Sequence, residues 1–179
     1  MASIFGHAMA TMAIGSSFPK EFRSFKFWLL GIGCTMVPDA DVIGFKLHIA
    51  YNSFWGHRGF THSILFAILW GMSMSFIFYP KLSFSLKGIL FSIFFAFCTL
   101  SHGILDAMTT GGLGVAFFSP FDDTRHFFPW RPIEVSPIGA RKFISMRGLS
   151  ILINEGIWIG VPSLIYTTLV MLLRKNTNH

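Results

Sequence analysis

Four short clusters hold most of the groups in this chain that could do chemistry. They are His7; Asp39 and Asp41 in Pro38-Asp39-Ala40-Asp41; His57, Arg58 and His62 in His57-Arg58-Gly59-Phe60-Thr61-His62-Ser63; and His102 and Asp106 in His102-Gly103-Ile104-Leu105-Asp106. The whole chain has only 7 His and 8 acidic residues. His102 and Asp106 stand at i and i+4, so on a helix they share one face. Imidazole and carboxylate on adjacent turns can bind one divalent ion. Asp39 and Asp41 follow a proline that ends a helical pattern. In an extended segment their side chains point the same way, so one can ligate a metal while the other holds a ligand histidine in its tautomer. The spacing of His57 and His62 does not put both on one helical face, so one can ligate while the other moves a proton or orients a ligand. Either Thr61 or Ser63 is placed to cap the apolar helix that follows.

Nitrogen and oxygen donors without a nearby thiolate suit Zn²⁺ first, with Mn²⁺ or Fe²⁺ as alternatives. The candidate ligands are His7, Asp39, Asp41, His62, His102 and Asp106, enough for one ion or two. Two ions about 3.5–4 Å apart can activate water and clamp both oxygens of a phosphoester displacement. Candidate catalytic residues are His57, Asp39 and Arg58, the arginine as a clamp on phosphate. Arg125, Arg131, His126 and Glu134 are left without an assigned role, since anchoring to anionic lipid explains the basic ones equally well. No residues point to an organic cofactor.

The elements that must position these groups are apolar. Hydrophobic residues make up 53% of the chain and charged residues 12%, with 22 Phe; mean hydropathy is +0.60. Globular domains carry about 25% charged residues, so half that share leaves too little polar surface for a water-exposed globule. The net charge of +6 falls between apolar runs and not along one polar face, which suits topology signals and anionic lipid rather than nucleic acid. Cys34 and Cys98 each lie inside an apolar run and read as small buried hydrophobes. The N-terminus has no basic stretch before its apolar run, so no cleaved signal peptide is expected.

The pattern predicts one all-α, polytopic membrane domain over residues 1–179. Leu149–Leu173, Leu86–Leu105 and Ser63–Tyr79 are the expected long spans. Ile4–Phe18 and Phe25–Val37 form an expected short N-terminal helical pair, and Pro38 and Pro80 are expected to close their segments. Residues 109–148, rich in Gly, Pro, Arg and aromatics, read as an interfacial loop or lid. Alternating the chain across a bilayer brings every candidate ligand to one side. Lys20, Arg23, Lys26, Lys81, Lys87, Arg174 and Lys175 fall on the other. Lys46, Arg58, Arg125, Arg131, Arg141, Lys142 and Arg147 share the site's side. The counts tie, but short loops near helix ends weigh most, which favours a site facing outward.

The ordered set His7, Pro38-Asp39-Ala40-Asp41, His57-Arg58-Gly59-Phe60-Thr61-His62-Ser63 and His102-x-x-x-Asp106 resembles the membrane-bound metal-dependent hydrolases, a family that includes an SOS-regulated bacterial inner-membrane protein. The resemblance covers roughly positions 1–135; the block at 57–63 is its specific part. It implies a bacterial inner-membrane hydrolase. The chain is more distantly similar to the zinc-dependent phospholipases C. That similarity implies Asp41 or Asp39, His62, His102 and Asp106 as ligands of one zinc, with Asp106 bridging to a second ion held by His7. His126 and Glu134 depart from the spacing of that family's third site, which leaves one or two ions. The expected function is hydrolysis of a phosphoester in a lipid or lipid-linked substrate. The rival expectations are a metal or ion transporter, with ligands spread along the spans, and a non-catalytic membrane protein with a structural metal.

Overall fold

The computed structural model describes residues 1–137 and 143–176. They are helical, with isolated β-bridges and no strand among them. The elements are α1 (Ile4–Ser16), α2 (Phe25–Met36), α3 (Ile64–Phe78), α4 (Leu86–Ala107) and α5 (Met146–Asn176), the last carrying a π-helical turn over Gly156–Gly160. Each starts on a serine. The hydroxyls of Ser3, Ser24, Ser63, Ser85 and Ser145 accept from Gly6 N, Phe27 N, Phe66 N, Gly88 N and Gly148 N. A helix start leaves backbone N–H groups without partners, and a membrane edge gives them little water.

Among the described residues three helical rods are long and apolar enough to cross a membrane: Phe25–Lys46, Leu86–Ala107 and Met146–Asn176. One differs from expectation. Pro38 does not end its segment. It opens a 3₁₀ turn, Pro38–Val42, that runs into the helical turn Ile43–Lys46. A proline at the first position of a turn has no N–H to lose there, so the path continues. The expected span Ser63–Tyr79 is the shorter α3. Its 15 residues reach about 22 Å at ~1.5 Å per residue, less than a hydrocarbon core of about 30 Å. Pro80 does close α3, by opening the turn Pro80–Leu82.

Helix α4 is the centre and packs on α3, α2 and α1; α5 lies mainly on α1, with almost all of its apolar surface facing outward. The buried face of α4 runs from Phe91, Phe94 and Phe95 through Cys98 and Thr99 to His102 and Asp106. One stripe therefore serves as core at one end and site at the other. Phe27 stacks on Phe94 with ring centroids 3.8 Å apart. In lipid, helices gain little from excluding water, so close packing on small residues holds them. At Gly71 a Cβ would lie 2.5 Å from Ala96 N and 2.6 Å from Ser92 O. Both are backbone atoms of α4 and cannot turn aside. Gly71→Ala is expected to cost about 1–3 kcal/mol, read as a lower Tm in detergent. Gly33→Ala, where a Cβ meets nothing within 4 Å, is expected to leave Tm unchanged.

The segment from Thr109 to Pro137 is packed rather than loose. Val115 and His126 exchange both backbone hydrogen bonds at 2.9 Å, and Val115, Ala116 and Ile133 are buried. The guanidinium of Arg125 ties it to the preceding loop by donating to His57 O, Tyr51 O and Ser53 O. Arg131 lies over the Phe127 ring, and Glu134 accepts from Ser150 Oγ. The expected lid extends over residues 138–142, and its basic pair Arg141 and Lys142 lies outside the described residues.

Candidate metal centre

The end of α4, the turn after α2 and the 3₁₀ turn Phe60–His62 before α3 meet at one point. Asp39, His62, His102 and Asp106 each offer one ligand atom there, all within 4.8 Å of one another. His102 Nε2 lies 3.2 Å from Asp39 Oδ1 and 3.9 Å from Asp106 Oδ2. His62 Nε2 lies 3.9 Å from Asp39 Oδ1 and 3.8 Å from Asp106 Oδ2. Tetrahedral coordination at about 2.0–2.2 Å from the ion needs ligand atoms roughly 3.3–3.6 Å apart. The observed spacings bracket that range.

All four atoms are buried; Asp39 Oδ1, His62 Nε2 and His102 Nε2 have no hydrogen-bond partner, and Asp106 Oδ2 meets the Arg58 guanidinium. The protons are placed elsewhere. His102 Nδ1 donates to Thr35 O at 2.6 Å, an acceptor with no proton of its own. His62 Nδ1 lies 3.2 Å from Asp41 Oδ2. Both rings are thus engaged through Nδ1 and turn Nε2, the atom that would ligate an ion, inward. Burial also pushes the pKa of His62 down, with Asp41 opposing, which keeps the ring neutral. Two imidazole nitrogens and two carboxylate oxygens thus converge on one point, with the Arg58 guanidinium beside one of the oxygens. These residues fit a divalent ion, and the donor set is that of zinc, manganese or iron rather than of a thiolate site.

The other candidate residues surround this group. Asp41 is a hub. Its Oδ1 accepts from His57 Nδ1 at 2.6 Å, and its Oδ2 accepts from Arg58 N at 3.1 Å and Thr61 Oγ1 at 2.7 Å. Asp41, His57 and His62 form a second group able to hold an ion, but their facing atoms already share hydrogen bonds. His57 thus sits one step behind His62, with its ring against Tyr51 and Phe45. His7, on α1, stacks on His102 at 3.9 Å between centroids. Its Nε2 lies 3.8 Å from Asp106 Oδ1, and neither ring nitrogen has a partner. That Oδ1 already accepts from Ala2 N at 2.9 Å.

Arg58 is not the free phosphate clamp expected from the sequence. Its side chain is buried, and its nitrogens are taken. Nε lies 2.9 Å from Asp106 Oδ2, Nη1 donates to Gly111 O at 2.7 Å and Nη2 to Thr109 Oγ1 at 3.0 Å. Its backbone has φ of 65°, a left-handed conformation that L side chains rarely adopt. That turn aims the amide at Asp41 and the side chain at Asp106. Gly112, at φ of 91°, leaves room: a Cβ there would meet Arg58 Nη1 at 2.6 Å.

The family model for the YdjM inner membrane proteins matches residues 1–177. This chain belongs to that family. It is 34% identical over 165 residues to the inner membrane protein YbcI of Escherichia coli K12, covering 92% of this chain and 94% of the relative. No solved structure matches. The family's name places its members in the inner membrane, in agreement with the three long apolar rods.

The sequence showed no signal for three residues that set this geometry. Thr35 acts through its carbonyl, and Thr109 and Gly111 through the loop that receives Arg58. Glu155, the single charge in the last apolar run, is buried and accepts from the backbone N and the hydroxyl of Ser3. It thereby holds the start of α1, next to the Ala2 amide that reaches Asp106.

Proposed function

We propose that this YdjM-family protein is a metal-dependent hydrolase of the inner membrane, acting on a phosphoester in a lipid or lipid-linked substrate. One observation carries the reading: four buried donor atoms of Asp39, His62, His102 and Asp106 face one point, three of them without a hydrogen-bond partner, and Nδ1 of both imidazoles is engaged on the far side. A divalent ion bound there supplies Lewis-acid activation of water and of the phosphoryl oxygen.

The chain's own residues do the rest. Asp41 and the Thr35 carbonyl fix the two imidazoles. Arg58 holds Asp106 as a carboxylate. His57 holds Asp41. Asp39 is the member with an accessible edge, its side chain 16% exposed against 0% for His62, His102 and Asp106. It is the group that meets water and substrate, and its carboxylate takes the proton that water gives up. The water oxygen bonds to phosphorus, the ester P–O bond breaks, and the alcohol leaves with a proton.

The transporter expectation needs ligands distributed along the spans, whereas these sit in one cluster at one end of α4. Burial of Arg58 in protein also removes a positive charge from the count on the site's side. The opposite end then reads as cytoplasmic and the site as outward-facing.

The test is elemental analysis of the purified protein, followed by a screen of phosphatase and phospholipase substrates in detergent. About one Zn, Mn or Fe per chain is expected, lost in His62→Ala and His102→Ala. Wild-type protein free of all three metals sinks the reading. Hydrolysis that survives in both metal-free variants sinks it equally.

A further inference from the structure

Asp39 opens onto a cavity of about 370 Å³. Its volume lies in the range of about 300–1,000 Å³ for small-molecule sites, which are apolar with few polar groups. Ile4, Phe5, Val42, Pro137 and Phe143 form apolar walls, Asp39 is the charged side chain among the lining residues, and Ser136 and the N-terminal Met1–Ser3 complete the lining. The Phe5 and Phe143 rings lie 6.1 Å apart and nearly parallel. Ile4 and Phe5 are also more than half exposed on the outer face of α1, so the cavity wall is continuous with the apolar outer surface.

We infer that this cavity is the binding site for an apolar chain attached to the group that reacts at the metal, entered sideways from the bilayer beside α1. The inference rests on the metal reading above. Three of the four donor residues are sealed in protein, and the fourth, Asp39, lines this cavity. A substrate reaching the ion by that route lays its remaining atoms against Ile4, Phe5, Val42 and Phe143. A small, fully water-soluble phosphoester would leave those walls unfilled. A ligand with a phosphate head and an alkyl chain fits both ends.

The probes are methylphosphonate and hexylphosphonate, which carry the head group without a cleavable ester. Binding is read from the visible spectrum of the full-length protein with Co²⁺ in place of its native metal. Each buried methylene is worth about a fourfold gain in affinity when it leaves water (~0.8 kcal/mol). Hexylphosphonate is therefore expected to bind at least about tenfold more tightly than methylphosphonate. Val42→Trp and, separately, Ser136→Phe fill the cavity and are expected to erase that ratio. The spectrum of each variant without ligand checks that the metal site is intact. An unchanged ratio in a variant that keeps the wild-type spectrum overturns the proposal, because the gain then comes from partition into the surrounding detergent. No spectral response to either phosphonate overturns the open-metal reading, and the chain site with it.

Discussion

Asp106→Asn is expected to strip the metal from the protein and to destabilise the metal-free fold by about 3–5 kcal/mol, the usual cost of removing one partner from a buried ion pair. The two effects share one cause. Asp106 is fully buried; one oxygen accepts from Ala2 N, and the other lies 2.9 Å from Arg58 Nε and faces both ligand imidazoles. Losing its charge leaves the Arg58 guanidinium buried with no counter-charge and leaves the proposed ion one carboxylate short. Elemental analysis and thermal unfolding in detergent read the two losses separately. Arg58→Met is expected to destabilise by a similar amount, since it abandons the carboxylate instead. The double variant Arg58→Met with Asp106→Leu removes both charges. It is expected to regain much of the lost Tm but none of the metal. Full metal content in Asp106→Asn would remove Asp106 from the ligand set.

Much of the architecture was legible because lipid imposes simple rules. A chain with 12% charged residues and 22 Phe has few solvents open to it, and backbone groups in hydrocarbon must pair within a helix. Alternation of the runs brought the clusters together. In the structure His7, Asp39, His62, His102 and Asp106 lie within ion-pair or stacking distance of at least one other member. The sequence pattern misled at Pro38, because proline stops a helix by lacking a donor, and that lack costs nothing at the first position of a new turn. It misled again at Arg58. A basic residue between two histidines looks like an anion clamp, yet its fate depends on the Thr109–Gly112 loop, more than fifty residues away, which presents a carbonyl and a hydroxyl to the guanidinium. The choice between Asp39 and Asp41 as ligand was equally out of reach. Two carboxylates a residue apart differ only in which donors surround each, and those donors come from the segment 57–62.

That difference makes Asp41→Asn the sharpest discriminating change. The variant is expected to keep the metal but to bind it about 10–100-fold more weakly, as found when residues that orient ligands are altered. Asparagine preserves the shape and offers one acceptor oxygen where aspartate offered two. The donors around it are His57 Nδ1, His62 Nδ1, Arg58 N and Thr61 Oγ1. The amide NH₂ must face one of the imidazoles, donor against donor. If it faces His62, that ring moves its proton to Nε2 and loses the lone pair it turns toward the ion. If it faces His57, the strain falls one step further back and His62 keeps its tautomer. Affinity should therefore fall without vanishing, as competition against a chelator can measure. Asp39→Asn in parallel is expected to lose far more, because Asp39 Oδ1 has no partner except the other donors at the centre. If the two substitutions prove equally damaging, Asp41 is itself a ligand, and the ion sits nearer His57 than the unpartnered atoms place it.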